Sequence, residues 1–95
     1  MLRFGLEGHR DFFIRFDPAS RTAYIKVAQG RVAATKEQAP GVFVDLGSSG
    51  QLLGIEILDP KRIQVSLIHR LAKQFKVPDL ATLNPRGIPG IFAAA

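Results

Sequence analysis

Basic side chains recur at helical spacing in the segment from Pro60 to Val77, which contains no aspartate or glutamate. At about 3.6 residues per turn they fall on one side of a helix, opposite an apolar stripe. The candidate partner-binding residues on this side are Arg62, His69, Arg70, Lys73 and Lys76. A cationic helix face is suited to phosphates, an acidic protein surface or lipid headgroups, and it also resembles an ordinary solvated face.

The cationic face therefore leaves several interpretations open, of which a solvated face without a partner is the simplest. Among the binding roles, an acidic protein ranks before nucleic acid. The single aromatic residue of this segment, Phe75, belongs to the apolar stripe and not to the cationic side, and no known nucleic-acid-binding motif occurs. A weak nucleic-acid binder that uses Arg62, Arg70, Lys73 and Lys76 is the alternative function.

A glycine-rich loop, Gly-Ser-Ser-Gly at residues 47–50, has the composition of a phosphate-binding loop. Such a loop needs a helix after it, whose N-terminus faces the anion, and a lysine that reaches the phosphates. The residues that follow, QLLGIEIL, alternate like a strand, and no Lys-Ser or Lys-Thr pair is present. The loop is therefore predicted to turn the chain between two strands of a hairpin.

Other residues with catalytic or metal-binding potential are scattered. His9 and His69 have no second histidine, cysteine or carboxylate at metal-ligand spacing, and no serine lies in a G-x-S-x-G elbow. Asp45 and Glu56 could face each other across the hairpin and shift each other's pKa, but solvated charges on a sheet are the simpler interpretation. We predict no catalytic residue, no cofactor and no metal site, and hence no enzyme.

The composition is that of one small globular domain, residues 1–95, with 46% hydrophobic and 22% charged residues. The net charge of +5 favours acidic partners without identifying one. Cysteine is absent, so a disulfide framework is excluded. With neither a secretory signal pattern nor an apolar stretch of about 20 residues, we expect a soluble cytoplasmic protein that does not contact membranes.

Residues 11–58 show period-2 patterning interrupted by turn residues, which is typical of antiparallel strands. Asp17-Pro18 and Ala39-Pro40-Gly41 are turn signals, and Gln29-Gly30 has the form of a two-residue hairpin connection. Asp17 and Asp59 precede prolines, where a carboxylate oxygen can accept a bond from a nearby backbone N–H. The alternating apolar positions are Phe12, Ile14, Phe16, Ala23, Ile25, Val27, Val42, Val44, Leu46, Leu53, Ile55 and Ile57.

The pattern changes at Asp59-Pro60, which resembles an N-cap followed by the first helical residue. A basic amphipathic helix is predicted over residues 60–76, and Val77-Pro78 should end it. Residues 78–95 are interpreted as a short helical turn and a tail. The predicted fold class is α+β: an antiparallel β-meander of four to five strands with a C-terminal amphipathic helix packed on one face.

The middle of the chain, Phe16 to Asp59, resembles a family of small prokaryotic proteins known as domain of unknown function 2283. The matching motifs are Phe16-Asp17-Pro18, Tyr24-Ile25, Pro40-Gly41-Val42 with Asp45, and Gly54-Ile55-Glu56-Ile57-Leu58. The resemblance implies a small β-rich fold without an assigned activity. It also implies genomic proximity to small toxin-like proteins, and hence an antitoxin-like role.

The chain departs from the family pattern at two turns, where family members usually carry acids. Ala19, Ser20 and Arg21 occupy the first of these turns, and the Gly-Ser-Ser-Gly loop occupies the second. The expected function is a non-enzymatic protein-binding module, for which the resemblance implies an antitoxin-like role. Its expected partners are a second copy, through the sheet edges, and another small protein.

Overall fold

The alternating segments form one antiparallel sheet. The structure is a computed structural model that describes residues 2–4, 12–59 and 65–82. The strands are β1 Leu2–Phe4, β2 Phe12–Asp17, β3 Thr22–Lys26, β4 Ala34–Ala39, β5 Val42–Leu46 and β6 Leu52–Ile57. They are followed by helix α1, Val65–Gln74, and a 3-10 helix, Pro78–Thr82. The α+β class and the antiparallel sheet are confirmed. Of the four to five strands predicted, five lie within residues 11–58, and β1 adds a sixth strand.

The strand order, β1-β2-β3-β6-β5-β4, departs from the expected meander, because β3 pairs with β6 and not with β4. The difference follows from composition. The strand β6 is buried at five of its six positions and takes an interior place, whereas the polar β4 takes the edge, where its charged side chains remain in water.

The hairpin predicted at Gln29-Gly30 is wrong. The amides of Val27 and Ala28 both donate to the carbonyl of Leu53, at 2.8 and 3.1 Å, so the chain stays against β6 after β3 ends. It then crosses to β4, where the Ala33 amide donates to the Leu46 carbonyl at 2.8 Å. Gly30 suits this crossing, because a Cβ there would approach the Leu53 side chain to 2.9 Å.

The core lies between one face of the sheet and α1. Ile25 pairs with Ile55, which pairs in turn with Val44, and all three are fully buried. Against them pack buried side chains that follow the helical period and the segment after it: Ile68, Leu71, Ala72, Val77 and Leu80. The helix therefore covers the face that the alternation predicts as apolar, and we call this face the core face.

The end of α1 agrees with the predicted stop at Val77-Pro78. The Val77 amide donates to the Ala72 carbonyl at 2.9 Å and the Lys76 amide donates to the Lys73 carbonyl at 3.4 Å, which is the Schellman arrangement. Lys76 adopts the required left-handed conformation, with φ at 56°. Of the helix predicted over residues 60–76, residues 65–74 are helical, residues 75 and 76 form the closing turn, and residues 60–64 lie outside the described residues.

The turn after β2 uses Asp17 structurally, as the sequence predicts. Its carboxylate accepts a hydrogen bond from the Ala19 amide at 3.0 Å, and its carbonyl accepts one from the Arg21 amide at 2.8 Å. The bond from Ala19, followed by bonds from Ser20, lowers the pKa of the Asp17 carboxyl below its ordinary value. The 3-10 helix Pro78–Thr82 is the short helical turn predicted there, and the tail after it lies outside the described residues.

Candidate functional site

The glycine-rich loop is a hairpin turn, as predicted. The Gly47 amide donates to the Gln51 carbonyl at 2.9 Å, and the Gly50 amide donates to the Gly47 carbonyl at 3.0 Å. Gly50 has a φ of 81°, a backbone conformation that favours glycine. Because the strand β6 follows the loop, the loop does not lead into a helix N-terminus, and its arrangement is that of a hairpin and not of a phosphate-binding loop.

Asp45 and Glu56, which the hairpin could have placed opposite each other, are not directly opposed. Asp45 is paired with Gly54 across the β5–β6 ladder, and Glu56 is paired with Phe43, one step along. His69 is exposed on α1, and His9 lies outside the described residues. Within the ranges 2–4, 12–59 and 65–82, no group of three or more histidine, cysteine or acidic side chains is placed to hold a metal ion.

Three of the candidate partner-binding residues, His69, Arg70 and Lys73, form one exposed stripe along α1, which we call the cationic stripe. Lys73 lies in the last turn, where a positive charge is favourable to the helix dipole. Lys76 is exposed but lies in the turn beyond α1, and Arg62 lies outside the described residues. The three basic residues of the described helix are therefore all exposed, as their helical spacing predicts.

Arg70 also links α1 to the sheet. Its guanidinium donates to the carbonyl of Gln38, near the end of β4, at 3.1 Å. This acceptor is uncharged, so the contact orients the guanidinium without neutralising it. The contact therefore holds the guanidinium at this edge of the molecule.

An apolar groove of about 680 Å³ runs beside the cationic stripe. Its walls are the turn between β4 and β5, the end of β6 and the side of α1 that carries Ser66, Leu67 and Arg70. Leu58, which is 42% exposed, contributes to the wall on the sheet side. Apolar surface next to exposed cations is the combination that protein interfaces use, because charges alone bind weakly in water.

A second polar cluster, which sequence reasoning missed, lies on the face of the sheet opposite α1, which we call the outer face. The Tyr24 hydroxyl donates to the Asp45 carboxylate at 2.8 Å, and the Thr35 hydroxyl donates to its other oxygen at 2.6 Å. Three strands, β3, β5 and β4, are thereby joined through one carboxylate. Burial, and then the bond to Asp45, raise the pKa of Tyr24 to about 12, so the phenol keeps its proton.

Gly54 makes this cluster possible. The Tyr24 ring lies across Gly54 of β6 on its way to Asp45, and a Cβ built on Gly54 would overlap with the Tyr24 hydroxyl. Arg15 of β2 lies on the same face, with its guanidinium carbon 5.8 Å from the centre of the Tyr24 ring. The signal that could have indicated this arrangement is a glycine inside an apolar strand, which often marks a close approach.

The fold and the two clusters define a class: a small α+β domain with a six-stranded antiparallel sheet and one helix on its core face. The chain belongs to a family of proteins of unknown function, DUF2283, whose model matches residues 14–61, about half of the 95 residues. No curated protein and no solved structure matches the chain. The matched residues include Tyr24, Asp45 and Gly54, whereas the cationic stripe lies beyond them.

The described residues include no helix that is long and apolar enough to cross a membrane; α1 has 10 residues.

Proposed function

We propose that the protein is a non-enzymatic protein-binding module that recognises an acidic partner through the cationic stripe. The observation that carries this proposal is that His69, Arg70 and Lys73 are all exposed on one side of a helix whose sequence contains no carboxylate. A helix of 10 residues without an acidic side chain cannot neutralise its cations by pairs of the i, i+4 type. An acidic surface of another protein would supply the missing charges.

The groove beside the stripe supports a protein as the partner. Each exposed ion pair contributes only about 0–1 kcal/mol, so Arg70 and Lys73 alone would bind weakly. Removing apolar surface from water contributes about 25 cal/mol per Å², and the groove next to Leu67 offers such surface. The partner should therefore present an apolar side chain flanked by carboxylates, with Arg70 at the boundary between the two kinds of contact.

An antitoxin-like role is the more specific form of this proposal. It rests on the genomic proximity to toxin-like proteins that the family resemblance implies. In that form, the acidic partner would be a small toxic protein, and binding would cover its active surface. The outer-face cluster supports a structural and not a catalytic use of the polar residues, because Tyr24 and Asp45 are bonded to each other within the sheet.

Nucleic acid is the alternative partner for the same cations. Proteins that bind single strands combine cations with aromatic side chains on which bases stack. In this molecule the exposed aromatic ring of Phe13 belongs to the outer face, whereas α1 lies on the core face. The separation of this ring from the cationic stripe favours a protein over a single-stranded nucleic acid as the partner of the stripe.

The test reverses charges on the stripe and, separately, at a matched position. The variant Arg70→Glu/Lys73→Glu alters the cationic stripe, and Arg31→Glu/Lys36→Glu makes the same change in net charge on exposed residues near β4. Tagged forms of both variants and of the unmodified protein are purified from the native cells after nuclease treatment. We expect a stoichiometric acidic protein with the unmodified and β4 forms, and a loss of at least about tenfold with the stripe variant.

Equal loss with both variants would contradict the proposal, because net charge and not the stripe would then control recovery. The nucleic-acid alternative is measured by fluorescence anisotropy with labelled duplex DNA and single-stranded RNA at several salt concentrations. Affinity that falls steeply with salt, and that Arg70→Glu/Lys73→Glu abolishes, would replace the acidic protein by nucleic acid as the partner.

A further inference from the structure

The outer face carries charged and aromatic side chains that lie opposite one another on neighbouring strands. Going across the strands, one row consists of Arg15 on β2, Tyr24 on β3, Glu56 on β6, Phe43 on β5 and Glu37 on β4. The neighbouring row contains Phe13, Lys26, Gly54, Asp45 and Thr35. These side chains point to the same side of the sheet because they alternate with the core residues along each strand.

Charge is divided between the two halves of this face. Arg15 and Lys26 make the half formed by β2 and β3 positive, and Glu37 and Glu56 make the half formed by β4 to β6 negative. Asp45 adds to the negative half, although its oxygens accept bonds from two hydroxyls. At the far end of β2, Asp17 also points to this side, where its carboxylate is engaged by its own turn.

Apolar surface accompanies the charges. Phe13 is 39% exposed, and Val32, in the connection that crosses this face, is 49% exposed. Tyr24 and Phe43 are half-buried in the rows between them. An exposed sheet face with aromatic side chains and both signs of charge, opposite a face already covered by a helix, is suited to packing against a second sheet.

We propose that the outer face binds the outer face of a second copy of this chain. A two-fold axis that lies between the two sheets, parallel to the strands and over the middle strand β6, places β2 and β3 of each copy over β4 and β5 of the other. Arg15 of each copy then faces Glu37 of its partner and Lys26 faces Asp45, whereas Glu56 lies near the axis. The same contacts occur twice, as two-fold symmetry requires. The charge division of the face is therefore complementary to itself.

The area of the outer face limits how strongly two copies can associate. Five strands spaced about 4.8 Å apart, with five residues of about 3.3 Å each, cover about 24 by 17 Å. This is below the roughly 800 Å² per partner of a standard stable interface, so the dissociation constant should be roughly micromolar or weaker. The dimer would leave α1 of each copy on the outside, with the two cationic stripes directed away from each other.

The experiment uses two charge-reversal variants of the full chain and their mixture. Arg15→Glu/Lys26→Glu makes both halves of the outer face negative, and Glu37→Lys/Glu56→Lys makes both halves positive. Sedimentation equilibrium should show a concentration-dependent dimer for the unmodified protein and at least a tenfold larger dissociation constant for each variant alone. An equimolar mixture of the two variants should recover association, because each negative face then meets a positive one. Recovery also demonstrates that both variants are folded.

Each of the following four results would overturn this proposal. The unmodified protein could remain monomeric up to a concentration on the order of 1 mM. Arg15→Glu/Lys26→Glu could dimerise as tightly as the unmodified protein. The mixed variants could fail to associate while circular dichroism shows both to be folded. The variant Arg31→Glu/Lys36→Glu serves as the control for edge-to-edge pairing through β4, and loss of the dimer in that variant alone would place the interface at the β4 edge.

Discussion

The two faces of the sheet are built from the same strands but are held in different ways. On the core face, Ile25, Val44 and Ile55 are packed without polar partners, and none of the residues described as buried is polar or charged. On the outer face, order depends on directional bonds, above all those of Asp45 with Tyr24 and Thr35. Non-directional burial supplies most of the folding free energy, whereas directional bonds fix where a few side chains point.

The largest expected effect belongs to the centre of the core face. Ile55→Ala removes a side chain that is fully buried between Ile25 and Val44. Because the lost burial and the remaining cavity add, the free energy of unfolding should fall by about 2–5 kcal/mol, as measured by urea denaturation. Val32→Ala, at a 49% exposed position, is the control and should change it by less than about 0.5 kcal/mol. Equal losses would mean that the contrast between the faces is wrong.

A smaller loss is expected from Gly54→Ala on the outer face. The new methyl group would overlap with the Tyr24 hydroxyl, so the ring must move away from Asp45 or the strands must separate. We expect the free energy of unfolding to fall by about 1–3 kcal/mol in urea denaturation.

The matched background for this change is Tyr24→Ala, in which nothing lies across Gly54. There, Gly54→Ala should be nearly neutral or slightly stabilising, because alanine loses less backbone entropy than glycine on folding. The difference between the two backgrounds is the coupling of Gly54 with Tyr24. If Gly54→Ala costs the same in both backgrounds, the ring does not determine the need for glycine at this position.

The core face could be predicted from the sequence, whereas the strand order could not. Alternation along each strand is a local signal, and it identified the buried positions of β3 and β5 and the buried Ile55 and Ile57 of β6. It misplaced the start of β6, where Leu52 and not Leu53 belongs to the core cluster, because the pairing register shifts between Asp45 and Leu46. Which strand lies beside β3 depends on the competition between the polar β4 and the apolar β6 for an interior place. The Gln29-Gly30 pair, with its hairpin-like composition, carries no information about that competition.

The two clusters differ in the same way. The cationic stripe is local, because His69, Arg70 and Lys73 are brought together by the helical period alone. The outer-face cluster is not local, because Tyr24 and Asp45 are separated by 21 positions and meet only through pairing with β6. The motifs that carry the family resemblance contain Tyr24, Asp45 and Gly54, but their shared role is visible only in the folded sheet.

The smallest effect, and the most specific to the outer face, concerns the ionisation of Tyr24. It is the single tyrosine of the chain, so phenolate absorbance reports this residue alone. The pKa should be about 12 in the folded protein and about 10 in concentrated urea. Since the folded value is the higher one, this contribution to stability is complete below the unfolded pKa and is lost as the pH rises from about 10 to 12.

Asp45→Asn removes the negative charge but leaves the ring partly buried, so the pKa of Tyr24 should fall without reaching 10, because burial is the larger cause. Titration of Tyr24 near pH 10 in the folded, unmodified protein would show that its hydroxyl is not held against Asp45 on the outer face.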